Sequence, residues 1–267
     1  MITLAPGCPL PVMSPKGMAM IIRTNRELRA HYHELQPGDC FVGMLGFKPM
    51  RHAVVVDLLA RGIRIVPSPL CQILNSSKAA QAQVMGPWML PQTCVVTRRT
   101  DLMAAVNRYN QSGVGAVVTK EDGLDCGYGI HRWHDIEEVY NYAAFNSHVY
   151  PFVLQPFLRA YSDIRVVIAG DHCEAYSREN PHNFRMNLTA GGKSRPYALS
   201  DDQVVLCRQI MERGRFPYAH IDILVGEDGR NYLSEIALNG GMKGARISRE
   251  GLDAIKADIL ENLVPRS

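Results

Sequence analysis

Short apolar runs and helix-like spacings follow one another along the chain and predict its elements. In the first part, a 3.6-residue spacing of apolar positions predicts helices at 26–36 and 52–61. Apolar runs there predict strands at 40–45 and 63–66, which gives a short βαβ unit. Later patterns predict strands at 93–97, 116–120, 151–155, 164–169 and 173–177, and helices at 78–85, 101–111, 201–213 and 249–263. Helices combined with antiparallel strands, after a small parallel unit, indicate an α/β (α+β) fold with more than one domain.

Two apolar strands around an Asp-Gly dipeptide at 228–229 each carry one acid, Asp222 and Glu235. A two-residue turn, which this dipeptide favours, places the acids directly opposite each other. Opposed Cβ atoms are about 4.5–5.5 Å apart, so both charges need either water or a cation nearby. Leu224 and Leu233 are expected on the same face, which argues against full solvation and favours a divalent metal.

Composition limits the class of protein. With 46% hydrophobic and 21% charged residues in 267, the chain can build one large core or two modest ones. The net charge of +3 is small and dispersed, so it gives no argument for a nucleic-acid partner. No apolar run approaches a membrane span and no secretory pattern opens the chain. We therefore expect a cytoplasmic protein without a membrane or nucleic-acid partner.

Cysteine and histidine spacing gives no metal framework. The seven cysteines are odd in number, widely spaced and without a C-x-x-C pair, so we expect reduced thiols. His131 and His134 are three residues apart, but no cysteine or further histidine accompanies them closely enough to complete a zinc site. We leave both histidines out of the site.

A lysine, Lys120, leads from a predicted strand into a loop that contains Gly123, Gly127 and Gly129. Glycines let the backbone approach a ligand closely, and exposed N–H groups with one ammonium can hold phosphate oxygens. The loop is neither a Walker motif nor a dinucleotide fingerprint. Taken alone, it fits a plain hairpin at least as well as a phosphate site.

The order of the motifs resembles that of ATP-grasp enzymes, above all the glutathione-synthetase and ribosomal-protein glutamate ligase (RimK-like) branch. The resemblance begins near Lys78 and runs to the C-terminus. After the glycine-rich loop come Gln-Pro-Phe at 155–157, Asp-Ile-Arg at 163–165, Phe-Arg-Met-Asn-Leu at 184–188, Gly-Gly at 191–192 and the two acids. It implies two antiparallel-sheet subdomains that clasp ATP after a shortened βαβ pre-grasp domain. The expected boundaries are 1–76 for the pre-grasp region, 77–150 for the first subdomain and 151–267 for the second.

The resemblance also implies roles for single residues. ATP phosphates are expected on two lysines and on the glycine-rich loop, at Lys78, Lys120, Gly123, Gly127 and Gly129. The base and the ribose are expected on Gln155, Pro156, Phe157 and Asp163. The γ-phosphate is expected beside Arg185 and Asn187, where a guanidinium can stabilise the transferring group. A substrate carboxylate or its acyl phosphate is expected on Arg165 and Arg178, which as single arginines fit surface ion pairs about as well.

The metal ligands implied by the resemblance are Asp222 and Glu235, whose hard oxygens suit Mg²⁺ and also Mn²⁺. Family members usually carry Glu-x-Asn here, but this chain has Ala237 in place of the asparagine. The next amide, Asn239, lies about 6–7 Å further along the strand. It completes the site only if the chain bends at Gly240 and Gly241, so the sequence leaves one metal or two open.

The leading functional hypothesis is an ATP-dependent ligase that activates a carboxylate as an acyl phosphate and joins it to an amine or a thiol. An ATP-grasp kinase is the first alternative. A nucleotide-binding protein without turnover, suggested by Ala237, is the second, and a protein without a nucleotide is the residual case. The substrates are expected among small-molecule or peptide carboxylates and amines. A homo-oligomer, dimer or tetramer, is compatible with the reduced first domain.

Overall fold

The computed structural model describes residues 19–47, 50–124, 127–146, 149–186, 188 and 191–264. It divides into two compact units, one that ends at Val66 and includes Val264, and one that spans Pro67–Leu263. The domain boundaries expected at 76/77 and 150/151 stay predictions. No helix in the described part of the chain combines the length and the apolar character that a membrane crossing requires.

The first unit contains a three-stranded parallel sheet in the order β1-β2-β3. A capping box opens its first helix, because Thr24 accepts from the Glu27 N–H while the Glu27 side chain bonds back to Thr24. That helix ends at Ala30, before the predicted end at 36, because the N–H groups of Glu34 and Leu35 turn back to the His31 carbonyl. The elements are β1 (Ile21–Ile22), α1 (Asn25–Ala30), β2 (Cys40–Val42), α2 (Arg51–Ala60) and β3 (Arg64–Val66).

The second unit opens with two helices and a four-stranded antiparallel sheet in the order β4-β7-β5-β6. One face of this sheet packs on α5 and α6 through a core that includes Val117, Leu154, Leu102 and Val139. The elements are α3 (Pro69–Leu74), α4 (Lys78–Met85), β4 (Cys94–Val96), α5 (Arg99–Gln111), β5 (Val117–Glu121), β6 (Ile130–Trp133), α6 (Ile136–Phe145) and β7 (Phe152–Pro156).

A five-stranded antiparallel sheet follows in the order β10-β9-β8-β11-β12. Its elements are β8 (Tyr161–Ala169), β9 (His172–Glu179), β10 (Lys193–Tyr197), α7 (Asp201–Gly214), β11 (Tyr218–Gly226), β12 (Asn231–Ala237) and α8 (Arg249–Leu263). Two antiparallel sheets after a parallel βαβ unit confirm the predicted α/β (α+β) class.

The hairpin β11–β12 pairs Asp222 with Glu235, as predicted, although its turn and its register differ from the predicted ones. The predicted two-residue turn is wrong, because Gly226 bonds to the Arg230 carbonyl across a three-residue connection in which Gly229 has φ +74°. A β-bulge then shifts the register by one residue, so that Ile223 pairs with Leu233 and Asp222 with Glu235. Leu233 therefore shares the face of Ile223, and its expected position beside the acids is also wrong.

Gln81 fastens helix α4 to strand β12. Its side-chain amide donates to the Ile236 carbonyl at 2.9 Å and its Oε1 accepts from the Ile236 N–H at 3.0 Å. Gln81 is only 2% exposed, and its amide also donates to the Leu74 carbonyl. Because buried backbone groups must be paired, this contact fixes the start of α4 relative to β12.

Replacing Gln81 with methionine keeps the side-chain volume but leaves both Ile236 backbone groups without this partner. We expect the free energy of unfolding in urea to fall by about 1–3 kcal/mol. Gln83→Met, an exposed position on the same helix, is the matched control and should change stability by less than about 0.5 kcal/mol. Equal effects of the two variants would contradict a fastening role for Gln81.

Candidate active site

Lys120 and Gln155 point away from the core of the four-stranded sheet. Paired residues share a face, and Val118 pairs with Gln155 while Lys120 pairs with Val153. The alternate position Val117 belongs to the core packed on α5 and α6. Strand alternation therefore places Lys120 and Gln155 on the free face of the sheet, which we call the cleft face.

Lys120 crosses from the cleft face to the second sheet. Its Nζ donates to the Ser234 carbonyl at 3.1 Å and lies 3.4 Å from the Ser234 hydroxyl. Ser234 is the extra residue of the β-bulge, so its carbonyl is available to a partner outside the ladder. Burial lowers the pKa of Lys120, against the opposing charge of Glu235. The ammonium is thus held in a dry position close to the acid.

Lys78 reaches the same acid from helix α4. Ser77 caps that helix, and the Asp122 carboxylate accepts from the Ser77 hydroxyl and from the Ala79 N–H, both at 3.0 Å. Lys78 Nζ donates to the Leu124 carbonyl and lies 3.9 Å from Glu235 Oε1. Two ammonium groups therefore converge on one carboxylate, an arrangement that favours an additional anion such as phosphate.

The glycine-rich loop adopts the backbone conformations expected of it. Gly123, Gly127 and Gly129 have φ values of +73°, +79° and +70°. A Cβ on Gly129 would lie 2.9 Å from the Glu121 Cβ, closer than real Cβ atoms approach. Arg185 covers the loop, since its guanidinium donates to the Gly127 carbonyl at 3.2 Å and to the Ile130 carbonyl.

Arg165 and Arg178 form a charge network with Asp163 and Asp222 on the five-stranded sheet. Arg165 binds Asp222 with two hydrogen bonds, of 2.6 and 2.7 Å. Arg178 donates to Asp163 at 2.6 Å and also lies 2.9 Å from Asp222 Oδ2. Register places these residues together, because Asp222 pairs with Arg165 and Asp163 with Arg178. The two acids and two arginines cancel in charge, as buried ions require.

The two acids of this network differ in their pKa. Burial raises the pKa of Asp163 to about 6, in spite of the opposing charge of Arg178. Burial acts in the same direction on Asp222, yet Arg165 and Arg178 hold its pKa below the ordinary range of a carboxyl. Asp222 is therefore ionised at neutral pH, as a metal ligand must be.

Asp222 and Glu235 offer two adjacent hard carboxylates, and Glu235 keeps a third of its side chain exposed, at 34%. The residues fit Mg²⁺, which typically takes one or two carboxylates and completes its shell with phosphates and water. No group of three histidine, cysteine, aspartate or glutamate side chains in the described ranges could hold a metal by itself.

The side chain of Asn239 is held by helix α8. Its Oδ1 accepts from Lys256 Nζ at 3.0 Å, and the same ammonium donates to the Leu238 carbonyl at 3.1 Å. Lys256 is buried on helix α8, so the end of β12 is fixed in this position. A ligand role for Asn239 stays a prediction.

The remaining predicted residues are placed as follows. Gln155, Pro156 and Phe157 end strand β7 and continue it, with the Phe157 N–H donating to the Ala116 carbonyl at 2.8 Å. Asn187 lies outside the described residues. Ser234 and Asp122 were not predicted as parts of the site. Asp122 stands inside the glycine-rich motif, which is a usable signal, whereas the bulge at Ser234 leaves no mark in a single sequence.

Comparison with known proteins agrees with the observed fold. The description of a RimK-like ATP-grasp domain fits residues 75–263. The chain belongs to this family, as its motif order implied. No curated protein matches the chain.

Solved structures share the fold at low sequence identity. D-cycloserine synthetase DcsG is similar with a TM-score of 0.62 and 14% identity over 84% of each chain. D-alanyl-alanine synthetase A from Vibrio cholerae has a TM-score of 0.56 and 13% identity over 85% of this chain and 77% of that one. A peptide-bound ATP-grasp ligase from Chryseobacterium gregarium, associated with RiPP synthesis, has a TM-score of 0.56 and 16% identity over 81% and 68%.

Replacing Arg178 with methionine leaves Asp163 buried without its guanidinium. We expect the free energy of unfolding to fall by about 3–5 kcal/mol at neutral pH. The loss should be smaller at about pH 5 than at about pH 8, because an acid with a raised folded pKa regains stability as it protonates. Arg195→Met on the neighbouring strand, an exposed arginine 3.7 Å from Glu179, should cost less than about 1 kcal/mol. A loss independent of pH would contradict this account.

Proposed function

We propose that this protein is an ATP-dependent ligase that forms an acyl phosphate from a substrate carboxylate and transfers the acyl group to an amine or a thiol. In the first step a carboxylate oxygen attacks the γ-phosphorus and ADP leaves. In the second step the nucleophile displaces inorganic phosphate and loses a proton. The observation that carries the proposal is the convergence of Lys78, Lys120 and the Asp222–Glu235 pair from three different parts of the second unit.

The roles of the residues follow from their chemistry. Lys78 and Lys120 hold the phosphates as point charges, beside the N–H groups of the glycine-rich loop. Asp222 and Glu235 hold Mg²⁺, or Mn²⁺, which when bound neutralises phosphate charge and orients the γ-phosphate. Arg185 lies over the loop, where a guanidinium can stabilise the transferring group. Catalysis then rests on alignment and charge stabilisation rather than on a covalent enzyme intermediate.

The acid and the acceptor belong to the classes of small molecules or peptides. Peptide substrates draw support from the Chryseobacterium ligase, whose structure holds a leader and a core peptide, and small molecules from the two synthetases. Arg165 and Arg178 are the proposed holders of the substrate carboxylate or its acyl phosphate. The cytoplasmic location and a dimeric or tetrameric state also stay predictions, and light scattering of the purified protein tests the latter.

Trapping the intermediate tests the proposal directly. Incubation with ATP, Mg²⁺, hydroxylamine and a panel of amino acids and peptides should yield a hydroxamate together with ADP, because hydroxylamine captures acyl phosphates. Omission of Mg²⁺ or of the acid should abolish both products. ADP with a phosphorylated acceptor and no hydroxamate would instead identify a kinase.

A second candidate, a nucleotide-binding protein without turnover, is favoured by one feature. Ala237 offers no donor at the usual position of the metal-binding amide, and Asn239 is bonded to Lys256. This candidate predicts thermal stabilisation by ADP without ADP formation from ATP across the substrate panel.

The variant Ala237→Asn separates the two candidates. If the wild-type protein is the ligase, it already forms hydroxamate, and the added amide should change its rate by less than about tenfold, or about 1.4 kcal/mol. If the wild-type protein forms no hydroxamate and the Ala237→Asn variant does, the result supports the second candidate. Ala237→Ser, which adds a smaller polar group, serves as the control for local perturbation.

A further inference from the structure

A cavity of about 700 Å³ opens beside the end of strand β7. Its lining includes the arginines Arg132 and Arg159, the rings of Phe157, Tyr161 and Phe184, and His182. The lining contains no acidic residue. A volume of this size is typical of small-molecule sites, and its guanidinium and aromatic surface suits a planar ring.

The Arg132 guanidinium and two rings of this cavity lie close together. The Arg132 guanidinium lies 4.4 Å from the centre of the Phe157 ring, and the Phe157 and Phe184 rings meet edge to face with centres 6.4 Å apart. Within the described ranges, neither Arg132 nor Arg159 lies within ion-pair distance of a carboxylate. Among the residues that the structure describes, Arg132 therefore has no acid partner and presents a planar cation to the cavity.

Strand register places this cavity relative to the phosphate-binding lysine. Arg132 on β6 pairs with Val118 on β5, and Val118 pairs with Gln155 on β7. The three side chains form a row across the cleft face. Lys120 lies two residues further along β5, on the same face, which is about 6.6 Å away along the strand. The cavity therefore lies next to Lys120 on the cleft face, at a spacing of two residues along strand β5.

We propose that Arg132 is a nucleobase-binding residue, whose guanidinium, supported by Phe157, forms a stacking surface for the purine of the nucleotide. This inference rests on the proposed function, because it takes Lys120 as the phosphate ligand. A nucleotide with its phosphates on Lys120 and its long axis along the cleft face brings its base to the Arg132 row. Planar guanidinium groups stack on aromatic faces, whereas the compact ammonium of lysine does not replace them at such sites.

The test measures the affinity for ADP in the presence of Mg²⁺ by calorimetry. Arg132→Met and Arg132→Lys should each weaken ADP binding by about 5- to 30-fold, the range that corresponds to a base–side chain stacking contribution of about 1–2 kcal/mol. The loss should persist at high salt, since stacking is not screened as a charge interaction is. Arg195→Met, an exposed arginine of β10 outside the cavity, should bind ADP like the wild-type protein.

Three results would overturn the inference. If Arg132→Met binds ADP with wild-type affinity, Arg132 does not bind the base. Full affinity in Arg132→Lys would show that charge rather than a planar stack is needed. Failure of the folded wild-type protein to bind ADP would sink the proposed function as well, whereas ADP binding that is indifferent to Arg132 but lost in Lys120→Met would leave the proposed function standing. Circular dichroism melting of each variant confirms that it is folded.

Discussion

The contact between Lys120 and the carbonyl of Ser234 is the constraint on which the site depends. It joins the cleft face of one antiparallel sheet to the β11–β12 hairpin of the other. The extra residue in β12 makes the contact available, because a bulge releases a carbonyl from the ladder. A buried ammonium needs such an acceptor, and Glu235 beside it supplies the balancing charge. One irregularity in a strand thereby places the buried cation of Lys120 next to the acid Glu235.

A second layer of the site consists of charges that are balanced before any ligand arrives. The network of Arg165, Arg178, Asp163 and Asp222 is neutral as a whole and held by short hydrogen bonds. Lys78, Lys120 and Arg185 differ, since each of them donates to backbone carbonyls. Glu235 lies beside both lysines and carries one negative charge against their two positive charges. The lysine pair therefore keeps a net positive charge that favours an anion such as phosphate.

Much of this arrangement could be predicted from residue order. Helices α4 and α8 were predicted with their observed bounds, and the Asp222–Glu235 pair was found. The three-residue turn was not predicted. It shifts the strand register by one residue, and the β-bulge shifts it by one residue in the opposite direction. The two irregularities together restore the Asp222–Glu235 pairing. Helix α6 and strand β10 were missed as well. In β10, Lys193, Arg195 and Pro196 give no apolar alternation, and tertiary pairing with β9 decides its structure.

The spacing of Lys78 and Gln81 on helix α4 limits where insertions can occur during evolution. Lys78 and Gln81 are three residues apart and lie on one side of the helix. Lys78 faces Glu235 of strand β12, and Gln81 is hydrogen-bonded to Ile236 of that strand. The distance between lysine and acid is therefore set within one helical turn, and the glycine-rich loop adds a second hold on the same lysine through the Leu124 carbonyl. A single insertion between Lys78 and Gln81 would turn one of them off the strand, so this short interval should vary least in length among descendants of the chain.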